Sequence, residues 1–115
     1  MPLTVQPRVE NEIAILDLEG ALTLGPGLQS LRDAARKVLS DTRVRGIVLN
    51  AANLTSADSA GLGELTILYT LASRQKCRVI VAGARPNLIT TLQVTHLDAL
   101  LPVASDVPTA IAQIS

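Results

Sequence analysis

The chain has 115 residues, enough for one hydrophobic core and too few for two, so a single domain spanning residues 1–115 is expected. Ten acidic residues balance ten basic ones, which leaves no field to gather nucleic acid or an anionic membrane surface. Tyr69 is the only aromatic residue, which excludes base-stacking platforms and aromatic cages and makes any core aliphatic.

Leu3–Val9 and Glu12–Leu18 predict two strands joined by a turn at Glu10-Asn11. The second run is nearly unbroken in apolar residues, as an interior strand is, and Gly20 is expected to end it. After Gly25-Pro26-Gly27, residues Leu28, Leu31, Ala35, Val38 and Leu39 recur at helical spacing. Arg32, Asp33, Arg36 and Lys37 lie opposite them and read as a solvated face. Val44–Asn50 predicts a buried strand, and a polar loop is expected over Asn53–Ala57. A second helix is predicted over Asp58–Arg74, capped by Asp58, with Leu62, Leu65, Leu68, Tyr69 and Ala72 on its inner stripe. Arg78–Ala82 reads as a strand broken by Gly83, and Pro86–Val94 as a helix with proline in its first turn. His96–Val103 is ambiguous, with room for a short edge strand, and a last helix over Asp106–Ile114 turns Val107, Ala110, Ile111 and Ile114 inward.

The order β-β-α-β-α-β-α-(β)-α predicts an α/β fold, a mixed four- to five-stranded sheet with about four helices packed against it. A strand–helix–strand order requires crossovers, hence partly parallel pairing. Ile15, Leu31, Ile47, Leu49, Leu65, Leu68 and Val81 are expected to be among the least exposed side chains.

The lone Cys77 reads as a packed strand-start residue, and no Cys/His cluster has metal-ligand spacing, so no metal or cofactor is expected. Met1-Pro2 begins no apolar leader, and the greasiest stretch, Ala60–Ala72, falls short of the roughly 20 residues a span requires. A cytoplasmic chain without membrane insertion is the expectation. Gly25-Pro26-Gly27 lacks the further glycines and the lysine of a phosphate loop and reads as turn punctuation. Ala57-Asp58-Ser59-Ala60-Gly61 resembles a hydrolase nucleophile elbow with His96 as a conceivable base. That reading fails on geometry, because an elbow joins strand to helix tightly and a long polar stretch follows Asn50; His96 reads as a loop or core histidine.

The informative segment is Val44–Gly63. Its plainest reading is local: Asp58 caps a helix and Ser59 is a solvated first-turn residue, although an anion there would find free N–H groups. The six residues D-S-A-G-L-G after a hydrophobic strand and before a Leu-rich helix resemble the signature of the STAS domain, found in bacterial anti-sigma factor antagonists. The resemblance extends over nearly the whole chain: the early hairpin, the Gly20 turn, G-I-V-L-N before the signature, V-I-V-A-G after it, and Arg85-Pro86-Asn87 opening a late helix. It implies a non-enzymatic regulator that binds a cytoplasmic anti-sigma factor, often a serine kinase, and so frees a sigma factor for transcription. Phosphorylation at the signature would end that binding. The implied partner-contacting residues are Asn53, Thr55, Ser56, Asp58, Ser59, Ala60, Gly61, Leu62 and Gly63.

One departure matters. The family pattern has two consecutive hydroxyl residues after the Asp, the second being the usual phosphate acceptor, and here Ala60 stands in that place. In the stressosome-type branch the acceptor directly follows the Asp, which makes Ser59 the candidate. The alternative implied by the resemblance is a scaffold or accessory subunit of a stressosome or lipid-transport complex, and a homo-oligomer is compatible with either. Gly61 and Gly63 are expected to let a partner backbone approach closely, so that a bulky residue at Gly61 would abolish docking and leave the chain folded.

Overall fold

The computed structural model describes all residues, Met1–Ser115. Strands β1 (Thr4–Glu10) and β2 (Ile13–Leu22) pair antiparallel from Thr4↔Glu19 to Glu10↔Ile13. Asn11 and Glu12 both have positive φ, 52° and 66°, as the two central residues of a type I′ hairpin turn must. The turn therefore sits one residue later than the sequence suggested. Nor does Gly20 end β2, which runs on to Leu22. Gly20 takes a φ of 102°, and a Cβ there would overlap the carbonyl oxygen of Pro2 in the N-terminal segment folded across it.

Helix α1 (Pro26–Leu39) carries the chain to β3 (Gly46–Ala57), and α2 (Ser59–Ser73) to β4 (Arg78–Ala82). Helix α3 (Pro86–Val94) and a 3-10 turn at Leu97–Ala99 lead to the two-residue edge strand β5 (Val103–Ala104), and α4 (Val107–Ile114) closes the chain. The strands lie in the order β1-β2-β3-β4-β5, parallel from β2 onward. Side chains alternate across the sheet. Leu16, Leu18, Ile47, Leu49 and Val81 join Leu28, Leu31 and Ala35 of α1 and Leu65, Leu68 and Ala72 of α2 in the main core. Ile13, Ile15, Val48 and Ile80 form a smaller core under Ala110 of α4, with Val107, Ile111 and Ile114 partly buried around it. All seven expected core residues are at most 2% exposed.

The polar stretch Asn53–Ala57 is strand and not loop. It continues β3 beside the tail of β2, with Glu19 opposite Asn53, Gly20 opposite Leu54, Ala21 opposite Ser56 and Leu22 opposite Ala57. The register slips twice, between Asp17 and Glu19 and between Gly20 and Ala21, with β3 supplying the extra residue each time. Such bulges bend and twist a strand. Here they carry the end of β3 toward the start of α2.

Arg32 is not simply solvated. Its guanidinium reaches from α1 to α2 and donates through Nε and Nη2 to the two carboxylate oxygens of Glu64, both at 2.9 Å. Glu64 is the one buried charged residue of the protein, and the fork-to-carboxylate geometry satisfies both of its oxygens. Removing one partner strands the other, whereas removing both leaves nothing unpaired. Arg32→Ala is therefore expected to lower the melting temperature by several degrees, and Arg32→Ala with Glu64→Leu to restore much of that loss, as read by calorimetry.

Candidate functional site

The junction between β3 and α2 is organised by Asp58. Its backbone is extended, and its carboxylate accepts from Gly61 N at 2.8 Å through Oδ1, capping the first turn of α2. Through Oδ2 it accepts from Leu24 N at 3.0 Å, in the segment between β2 and α1. Asp58 N in turn donates to Leu22 O at 3.1 Å. One side chain thus fastens two connections that are 34 residues apart in sequence. The far side of the β3 tail is held by the start of α3, where Arg85 Nε donates to Ala52 O at 3.2 Å and Asn87 Nδ2 to Thr55 O at 3.4 Å.

These hydrogen bonds, from Leu24 first and Gly61 second, hold the Asp58 carboxyl below the usual carboxylate range. A folded-state pKa below the unfolded value adds stability that is full above the unfolded pKa, near about 4, and is lost as pH falls through the folded one. Asp58→Asn is expected to flatten the acid limb of the stability–pH profile below about pH 4, measured by urea unfolding across pH.

The signature residues divide in the structure. Asn53, Thr55, Ser56, Ser59 and Gly63 are exposed, while Asp58, Ala60 and Leu62 are half-buried. Thr55 points its hydroxyl back to Gly20 O at 3.2 Å, so that group is already engaged. Gly61 is buried, and a Cβ on it would overlap the carbonyl oxygen of Leu22 and lie 2.7 Å from the carbonyl carbon. The backbone that approaches Gly61 is this chain's own β2, and Gly61 packs helix on strand. The expectation that a bulky residue there would spare the fold is overturned. At Gly63 a Cβ would meet nothing within 4 Å.

Ser59 begins α2, where first-turn N–H groups point outward and the helix dipole favours negative charge. Along the rest of α2 the solvent side presents Gly63, Ile67, Thr70 and Ser73. No charged side chain occupies that face, because Glu64, the only one in the helix, is buried against Arg32. Helix α1, by contrast, exposes Asp33, Arg36 and Lys37. Of the four surface hollows, of about 120 to 330 Å³, none is lined by any residue from Asn53 to Gly63; one takes in Tyr69 and Ser73 at the far end of α2, and another is lined by Thr23, Leu24 and Gly25. His96, exposed and left-handed in the turn after α3, makes no hydrogen bond to Ser59. Leu24 and the Arg32–Glu64 pair are parts of this region that the spacing of residues did not reveal.

A model of the STAS domain matches residues 4–110. The chain belongs to the STAS domain family. Solved structures agree in fold. A Thermotoga maritima protein assigned as a candidate anti-sigma factor antagonist superposes with a TM-score of 0.85 at 14% identity, over 96% of this chain and 93% of that one. An anti-sigma factor antagonist from Mycobacterium paratuberculosis gives 0.78 at 18% identity, over 97% and 93%. The phosphorylated form of the Bacillus cell fate determinant SpoIIAA gives 0.72 at 19%, over 98% and 99%. At such identities the likeness is one of architecture. In this STAS domain no helix is long and apolar enough to cross a membrane.

Proposed function

We propose that this STAS domain is an anti-sigma factor antagonist that docks on a cytoplasmic anti-sigma factor, a serine kinase, through the exposed end of β3 and the outer face of α2. Phosphorylation of Ser59 by that partner releases it, and no catalytic step is assigned to the chain itself. The observation that carries this reading is the α2 face, uncharged along the whole helix and ending in an exposed serine at the N-terminus. Depletion of charge marks the centre of protein interfaces, and the lack of a hollow over Asn53–Gly63 suits a protein partner better than an enclosed small molecule. The names of the structurally similar antagonists support the choice of partner.

A phosphate suits Ser59 chemically before docking and opposes docking afterwards. About two negative charges and three acceptor oxygens are tolerated at a helix N-terminus in water, but between two docked surfaces they need pairing or desolvation. Ala60, which has no hydroxyl, is half-buried against the core, so Ser59 is the accessible hydroxyl of the signature. The test is titration of recombinant anti-sigma factors from the source organism against native and variant chains, with phosphate mapped by mass spectrometry after incubation with ATP. Ser59→Ala is expected to bind as the native chain does, and Ser59→Asp about 100-fold more weakly or not at all. Gly63→Lys, which sets a charge in open space on the same face, is expected to stay folded and lose binding. Native-like binding by both charged variants, or co-purification with a transporter and no anti-sigma factor, contradicts the reading and favours an accessory-subunit role.

A further inference from the structure

We propose that Leu24 is the apolar anchor of this docking surface, seated in an apolar pocket of the anti-sigma factor; the assignment rests on the docking reading above. Leu24 is 81% exposed, the most exposed large hydrophobic residue of the protein. A single exposed leucine is ordinary on a surface, but this one is held in place. It lies in the three-residue connection Thr23–Gly25 between the last residue of β2 and Pro26 at the first position of α1. Its own N–H is fixed to Asp58 Oδ2, the same carboxylate that caps α2 through Gly61 N. One carboxylate thereby ties the Leu24 backbone to the first turn of α2, which Ser59 opens.

The framework gives the arrangement its consequence. A partner that covers Ser59 and extends over the Asp58 junction meets residue 24 as well, and a backbone already tied to Asp58 has less loop ordering to oppose binding. The residues that share a shallow hollow with Leu24, among them Pro2, Ala21, Thr23 and Pro26, carry no charge, and Leu24 is the most exposed large apolar side chain there. Small surroundings with one protruding aliphatic group select a partner with a matching apolar hollow and reject one with a charged or filled surface there. Asp58 therefore serves recognition indirectly as a positioning residue, by holding Leu24 N.

The experiment uses as probe whichever recombinant anti-sigma factor of the source organism binds the native chain most tightly by calorimetric titration. Losing most of a buried aliphatic side chain is expected to weaken Leu24→Ala about tenfold or more, while Leu24→Met, of similar volume, stays within about threefold. Leu24→Glu is expected to bind too weakly to measure. Because the side chain is solvated in the free protein, the melting temperatures of all three variants are expected to match the native one. Native-like affinity of Leu24→Ala overturns the anchor while leaving the docking reading intact, and a lowered melting temperature that accounts for weaker binding overturns it as well. If no anti-sigma factor binds the native chain, the docking reading falls and the anchor falls with it.

Discussion

Gly61→Ala is expected to unfold the domain or bring it close to unfolding, whereas Gly63→Ala, two residues along the same helix, is expected to stabilise it. In an open helix position alanine is favoured over glycine by about 1 kcal/mol, because glycine loses more backbone entropy. Gly63 meets that condition, since a methyl group there touches nothing within 4 Å. At Gly61 the same methyl overlaps the Leu22 carbonyl oxygen and lies 2.8 Å from Leu22 Cγ. The obstacle is mainly backbone, so no rotamer change relieves it. Leu22 O also accepts from Asp58 N, and pushing α2 off β2 breaks that bond together with the Asp58 staple to Leu24. The cost is expected to exceed about 3 kcal/mol of the roughly 5–15 kcal/mol that holds a small domain together. Thermal unfolding of the two variants checks the contrast. Equal stability would mean that α2 and β2 are farther apart than the structure has them.

Leu65→Ala is expected to cost about 2–5 kcal/mol and to lower the melting temperature by roughly 10 °C or more. Leu65 is 2% exposed, in the main core between α2 and the sheet, and its truncation leaves a cavity that β3 and α1, both held by the parallel sheet, close only in part. Ile67 sits two residues away on the outer face, 38% exposed, and Ile67→Ala is expected to cost far less. The pair separates the two faces of α2, whose inner stripe the leucine spacing predicts. Comparable losses at both positions would mean that α2 is buried on both sides.

Where the sequence carried a clean local signal, element and boundary were legible together. Arg78–Ala82 and Pro86–Val94 agree residue for residue, because glycine, proline and an unbroken β-branched run mark their ends. The tail of β3 was illegible for an equally physical reason. Two bulges shift its inward positions from buried Ala51 to buried Leu54 and on to half-buried Ala57, so the period-two alternation that identifies a strand is absent. The site was half legible. Asp58 as a cap and Ser59 as an exposed first-turn residue follow from local chemistry. The remainder depends on contacts between distant segments. Arg32 meets Glu64 across 32 residues, Leu24 meets Asp58 across 34, and Gly61 is confined by a strand that its own helix says nothing about.

The central claim is that one continuous surface, the end of β3 with the outer face of α2 and the connection after β2, receives the anti-sigma factor. Amide hydrogen exchange of the native chain, measured free and in complex with that anti-sigma factor, tests it most directly. Added protection is expected in peptides covering Ala52–Thr70 and Leu22–Gly25, with β1 and α4 unchanged. Added protection over Thr4–Glu10 or Val107–Ile114, with none at Ser59–Gly63, would contradict it.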